Sequence, residues 1–334
     1  MARALPHRRT GAIRAVLAAT LALASAPPVV AEPVTIAHRW GETRVDSVPE
    51  RIVTLSYTGV DAMLALGLVP IAYRTWYGGD ARGLWPWAAQ LMPAEATPLI
   101  LRGEIDPAAL VRLRPDLVEA TYSGITRPQY RALSRFTPVL PPLPGQADFA
   151  TTWDRMLLAI GEATGRRDRA EAVIAALLAE IAAVRAAHPD WEGRTAVVAL
   201  PDGPAIFSEN DGRTALMQRL GFVLPEAARG LGRGAFFFEP DRELTAPLEA
   251  DVILWLDAGG GVEALRQHPL RHSLRAVREG REIVADPDLT AALSYASPLS
   301  LPYALERLVP LLEAALDGDP ATVVEGMDAT GLLP

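Results

Sequence analysis

The chain has no cysteine, and although 32 of its residues are basic, every one of them is arginine. Without lysine it can form no Schiff base and has no phosphate-gripping Walker lysine. Without cysteine it has no thiolate nucleophile, no disulfide and no acyl-accepting lipobox residue. Histidine is scarce, with five copies in 334 residues. No G-x-S-x-G elbow occurs, and no histidine stands near both a serine and an acid, which argues against an exported α/β hydrolase. Gly230-Leu-Gly232-Arg-Gly234 lacks the spacing and the preceding strand of a dinucleotide fingerprint and reads as a flexible loop. With 40 acidic residues and a formal charge of −8, the chain also lacks the dense basic face that nucleic acid demands.

Basic residues are concentrated only at the start. Arg3, Arg8, Arg9 and Arg14 precede or open the apolar run Ala15 to Ala26, and Val29-Val30-Ala31 offers small residues before Glu32. This reads as an export signal over residues 1–31, its apolar run about a dozen residues where a membrane span needs roughly 20. Arg8-Arg9 leaves Sec and twin-arginine export both open. Removing the segment leaves 28 bases against 40 acids, a net charge of −12. A freely soluble periplasmic protein, without a lipid anchor, is the expectation.

The rest alternates strand and helix signals. Arg51 to Ser56 is β-rich, Asp61 to Leu66 has helical spacing before Gly67, and Leu68 to Tyr73 reads as a second strand. Strand, helix and strand in about 25 residues imply parallel pairing through a right-handed crossover. Asp106 caps a helix with Pro107 in its first turn, and Asp116 to Glu119 starts the next strand. Asp168 to Ala187 runs without a break as one long helix, about 30 Å at 1.5 Å per residue, and the rhythm then restarts at Thr195 to Leu200 and Asp251 to Leu256. The predicted fold is α/β, with two Rossmann-like lobes joined by a single long helix. The predicted boundaries are a first lobe over 32–165, the joining helix over 166–188 and a second lobe over 189–334.

Four ordered blocks carry a family resemblance. They are Pro49-Glu-Arg-Ile-Val-Thr-Leu-Ser56 with Asp61 to Ile71, Leu113-Arg-Pro-Asp-Leu-Val118, Glu243-Leu-Thr-Ala-Pro-Leu-Glu-Ala-Asp251-Val-Ile, and His268-Pro-Leu to Arg281. In this order and spacing the chain resembles the class III periplasmic substrate-binding proteins of ABC importers for iron siderophores, haem and cobalamin, closest to ferric-hydroxamate receptors. The corresponding binding domain would span about residues 50–318. The resemblance implies a monomeric receptor that is not an enzyme, needs no cofactor, holds a ferric siderophore in the interlobe cleft without direct metal ligands, and delivers it to an inner-membrane permease. Hydroxamate is preferred to catecholate or citrate.

Loops after strands face such a cleft. The expected ligand-binding residues are Tyr57, Arg74, Trp76, Arg102, Tyr122, Phe237, Trp255 and Tyr295, with Tyr73, Tyr77, Phe236 and Phe238 beside them. Arginine forks suit chelate oxygens, and aromatic faces supply contact area at low entropy cost. Arg102 is the foremost of these, because the resemblance places a ligand-contacting arginine at this distance before the Pro115-Asp116 strand start. Each has a plainer reading: a surface ion pair for Arg102, loop packing for Arg74 and Trp76, a core position for Trp255. Permease docking in the family uses one glutamate per lobe. Glu243 fits the second, and since Ala108 stands at the usual first-lobe position, Glu104 or Asp106 would substitute there. A haem receptor using Tyr57, Tyr73 or Tyr122 as iron ligand, or a cobalamin receptor, are the alternatives. A bare zinc or manganese receptor would need converging ligands, and only His38, His188, His268 and His272 remain after export, the last two sharing a face if helical.

Overall fold

The computed structural model describes residues 33–201, 205–232, 234–241, 245–257 and 259–332. The expected export signal and Glu243 lie outside them. A hairpin of β1 (Val34–His38) and β2 (Gly41–Val45) comes first. The first lobe then assembles from β3 (Ile52–Thr54), α1 (Gly59–Ala65), β4 (Ala72–Arg74), α2 (Pro86–Ala89), β5 (Leu99–Leu101), α3 (Pro107–Arg112), β6 (Leu117–Glu119), α4 (Arg127–Leu133) and β7 (Val139–Leu140). Its five strands are all parallel, in the order β5-β4-β3-β6-β7. The caps are written in the sequence: Asp106 accepts the Ala108 N–H at 2.9 Å, and Thr126 and Gln129 form a capping box with Pro128 in the first turn. The order of the strands reverses between β3 and β6, so the loops that follow these two strands flank a crevice.

After α5 (Trp153–Ala163), helix α6 (Arg167–Ala187) runs 21 residues. Only Ala170, Leu177 and Ile181 of it are buried. That narrow stripe is what a helix needs when it touches a core at each end: Ala170 packs into a first-lobe cluster, Leu177 and Ile181 into the second-lobe core.

The second lobe comprises β8 (Ala196–Leu200), β9 (Ala205–Phe207), α7 (Gly212–Arg219), β10 (Phe237–Phe238), β11 (Val252–Leu256), α8 (Gly261–Gln267), α9 (Arg275–Arg278), β12 (Glu282–Ala285), α10 (Pro287–Tyr295), α11 (Ser300–Ala315) and α12 (Met327–Thr330). Its sheet, β10-β9-β8-β11-β12, is parallel from β8 to β12 but antiparallel at the β9 and β10 edge. Phe237 and Phe238 therefore form an edge strand, where the sequence suggested a loop. His268 ends α8 and His272 lies in a separate 3-10 turn, so they do not share a helical face.

The second-lobe core is continuous with part of the first lobe. Val60, Leu64, Tyr73, Leu84, Trp87, Ala88 and Met92 pack in the same buried cluster as Trp255, Leu293, Tyr295 and Leu305. Segment 84–92 thus fills the joint behind the cleft, and α6 is not the sole tie between the lobes. Among the described residues no helix is long and apolar enough to cross a membrane.

Candidate functional site

A cavity of about 130 Å³, open to solvent, lies between the lobes. Thr58, Tyr122, Phe149 and Thr151 line it from the first lobe, and Asn210, Asp211, Arg213, Phe236, Ser294 and Tyr295 from the second. No histidine lines it among the described residues.

Aromatic rings form a continuous run along this cleft. Tyr122 meets Phe149 edge-on at 5.6 Å, Phe149 stacks on Tyr57 at 5.8 Å, Tyr57 packs on Trp76 at 5.7 Å, and Trp76 packs on Tyr295 of the second lobe at 5.6 Å. Tyr57 and Tyr122 sit on the loops after β3 and β6, where the strand order reverses. Phe149 and Ala296, the residue after Tyr295, hold φ of 58° and 42°. Such backbone is costly outside glycine and recurs where a site dictates geometry. Gly124 must be glycine: its φ is 67°, and a Cβ there would come within 2.5 Å of the Phe149 ring.

Each lobe also brings one largely buried arginine. The Arg74 guanidinium lies 4.3 Å over the Tyr57 ring and donates from Nη1 to the Ser123 carbonyl at 2.9 Å. The Arg213 guanidinium lies 4.1 Å over Phe207 and pairs with Asp211 at 2.9 Å. In both, Nε is buried without a hydrogen-bond partner. Unpaired buried donors are rare and costly, and a ligand oxygen would relieve them.

The loops beneath the first wall hang on Glu119, which is fully buried at the end of β6. Its carboxyl accepts hydrogen bonds from Thr54 Oγ1 (2.5 Å), Ser56 Oγ (2.7 Å), Thr121 N (2.8 Å) and Thr121 Oγ1 (2.6 Å). Ser56 Oγ in turn accepts the Tyr122 N–H at 2.8 Å. Gly59 completes the nest, since a Cβ would fall 1.8 Å from Thr54 Oγ1. Burial pushes the phenols of Tyr77, Tyr122 and Tyr295 above their ordinary range, so the wall presents neutral hydroxyls.

Of the expected site residues, Tyr122 and Tyr295 line the cavity, Tyr57 and Trp76 join them through ring contacts, and Arg74 lies over Tyr57 and lines a neighbouring recess. Arg102 is exposed on the edge of a neighbouring recess that Arg74 also lines, with Glu104 and Asp106 beside it. Phe237 is exposed on the edge strand and meets Phe207 edge-on at 6.5 Å, while its neighbour Phe236 lines the cavity. Two expectations need correction. Trp255 is wholly buried in β11, an interior strand between β8 and β12, and its Nε1 donates to Glu282, itself paired with Arg271, so it is a core residue. Tyr73 is likewise buried, its hydroxyl donating to the Arg82 carbonyl. Arg213, Phe149 and Asn210 were not foreseen. Arg213 stands in the first turn of α7, where the N-cap residue Asp211 accepts its N–H at 2.9 Å.

The family model for periplasmic binding proteins matches residues 52–289. The chain belongs to the periplasmic binding protein family. Its members are binding proteins and not enzymes. Among solved members, a periplasmic solute binding protein of Mycobacterium smegmatis is 28% identical with a TM-score of 0.76, the match covering 85% of this chain and 99% of that one. PiaA of Streptococcus pneumoniae, solved in complex with ferrichrome, is 26% identical with a TM-score of 0.72 over 85% and 99% of the two chains. A Bacillus subtilis relative described as the probable siderophore-binding lipoprotein YfiY is 25% identical over 231 residues, 66% of this chain and 68% of the relative. The two α/β lobes bridged by α6 are thus those of a periplasmic binding protein, with its cleft where the family's architecture leads one to look.

Proposed function

We propose that this chain is the solute-binding component of an ABC importer, a periplasmic monomer that captures a ferric siderophore between its lobes and hands it to an inner-membrane permease. The observation that carries this reading is the cleft wall itself: an aromatic run from Tyr122 to Tyr295, flanked by Arg74 and Arg213 with their unpartnered Nε groups. A ferric chelate is bulky, partly apolar and studded with electron-rich oxygens. Rings supply area, and guanidinium groups supply donors to oxygen in a dry setting. The likeness to a ferrichrome-bound protein supports a hydroxamate ligand before catecholate or citrate. Arg102, exposed beside Arg74, would reach the ligand from the rim. For permease docking, Glu243 would act on the second lobe and Glu104 or Asp106 on the first. Asp106 already caps α3, which favours Glu104 as the freer of the two.

Tryptophan fluorescence titration tests the reading, since Trp76 stands in the wall and is 37% exposed. Ferrichrome is expected to quench emission at sub-stoichiometric to stoichiometric addition, ahead of a ferric catecholate, ferric citrate, haem and cobalamin. A Soret band on haem titration without ferrichrome quenching would transfer the assignment to haem, and no response to any of the five would sink the family-level ligand class.

A further inference from the structure

Behind the aromatic wall lies a carboxylate that the ligand cannot reach. Asp61 belongs to α1 of the first lobe and is 1% exposed. Its Oδ2 accepts from Trp87 Nε1 at 2.8 Å and from Ser297 Oγ, across the lobe boundary, at 2.6 Å. Both donors bear on the wall residue Tyr295. Ser297 follows it by two positions, through Ala296 in left-handed backbone, and the Trp87 ring packs edge-on against Tyr295 at 5.8 Å. Tyr295 completes the joint by donating to the Tyr77 carbonyl at 3.2 Å.

We infer that Asp61 is a positioning residue for the cleft: from the first lobe it holds Trp87 and Ser297, and through them Tyr295, so that the setting of the second wall against the first depends on this bridge. The link to affinity rests on the cleft being the ligand site, whereas the link to lobe setting does not. A neutral substitute for the acid would hold the same shape, so the carboxyl needs a further reason. Burial raises its pKa to about 6, while the bonds from Ser297 and Trp87 pull it down. The bridge therefore gains charge-assisted strength as Asp61 ionises near pH 6. The titratable group facing it is Tyr295 of α10, whose phenol is pushed up in part by the Asp61 charge. The charged groups of the packed elements α5 (Asp154, Arg155, Glu162) and β4 (Arg74) are not among the causes of its shift.

The absence of cysteine makes the test direct. Spin labels are placed at Arg131→Cys on α4 and Gln218→Cys on α7, both exposed, and interlobe distances are measured from about pH 5 to 7.5, spanning the Asp61 titration. The wild-type background should show a change with midpoint near 6. Asp61→Asn, which keeps the acceptor oxygen but cannot ionise, should be flat. Ser297→Ala removes a bond that lowers the pKa, so its midpoint should move upward, and its distances should shift or broaden by about 2 Å. Ser297 Oγ also accepts the Ser300 N–H at the start of α11. Asp61→Leu, which cuts the bridge from the other side, must therefore reproduce the distance change. With ferrichrome as probe, Ser297→Ala should bind about tenfold more weakly. If ferrichrome does not bind the wild type, the siderophore reading fails while the distance and pH arms still decide this one. A flat wild-type profile, or distances in Ser297→Ala and Asp61→Leu that superimpose on wild type, overturns the inference.

Discussion

The two walls of the cleft are held in different ways. The first wall, with Tyr57 and Tyr122, stands on a network internal to its own lobe, in which Glu119 gathers two threonines and a serine from adjacent loops. The second wall, with Arg213 and Tyr295, has an ion pair to Asp211 on one side and, on the other, a tyrosine steadied by Trp87 and Asp61 of the first lobe. The first is a finished surface before the lobes meet. The second is complete only when they do. Glu119→Ala should break the first wall outright. It strands the Thr121 amide and three hydroxyls in a dry site, at about 1 to 3 kcal/mol for each unsatisfied group, so a loss of roughly 5 kcal/mol or more is expected in urea denaturation. A loss no greater than that of a surface substitution would remove the distinction between the walls.

The joint itself is the next place to press. Trp87 is buried against Tyr295 and Tyr303 and stacks on Trp85. Trp87→Ala should cost about 3 to 5 kcal/mol. Hydrogen exchange should then rise over residues 295–301 and stay unchanged over 119–125, because only the second wall leans on the joint. Asp61 gives the same comparison a pH axis. Its folded pKa is raised by burial from 3.8 to about 6. The fold therefore favours the neutral acid: the contribution is fully present below the unfolded value near 4 and is lost as pH rises through about 6. At about 1.4 kcal/mol per unit this amounts to ~3 kcal/mol. Asp61→Asn should flatten that part of the stability profile, and an unchanged slope would show that another group sets it.

The difference between the walls also explains what could be read from sequence. Local rules carried far: Asp106 before Pro107, the unbroken stretch from Asp168, and the β-rich runs at Arg51 and Asp251 each specify their element within a few residues. First-wall residues were legible for the same reason, since Tyr57 and Tyr122 lie directly after strands. Tyr295 of the second wall was legible too, but Arg213 and Phe149 were not, because their places depend on contacts distant in sequence. Arg213 sits in the first turn of α7 and reaches the cleft only because β9 turns back antiparallel to β8. Phe149 owes its place to Gly124, 25 positions earlier. Trp255 misled because an apolar strand carries no mark of which of its residues meets a buried acid such as Glu282. Asp61 showed only as a polar residue in a helix of apolar spacing, and its partner Ser297 lies 236 positions away.

The arginines provide the finest comparison, and the smallest expected effect on the fold. Arg213→Gln removes a buried guanidinium from the second wall and leaves Asp211 without its partner, so ferrichrome affinity should fall by about tenfold or more, with some loss of stability. Arg102 differs in kind. It is exposed, and no hydrogen bond or ion pair of the described structure depends on its side chain for the fold's sake. Arg102→Gln should leave the urea midpoint within the equivalent of about 0.5 kcal/mol of wild type. What it does to binding then reports on the ligand alone. A tenfold loss that persists at high salt means direct contact from the rim, as in a wall that extends to Arg102. A loss that vanishes when the Debye length shrinks from about 10 Å to about 3 Å means that Arg102 only attracts an anionic chelate. Contact is the expected outcome, because Arg102 lines the same recess as Arg74 and is exposed at its rim, where it can reach outer oxygens of a bulky chelate that the buried Arg74 cannot.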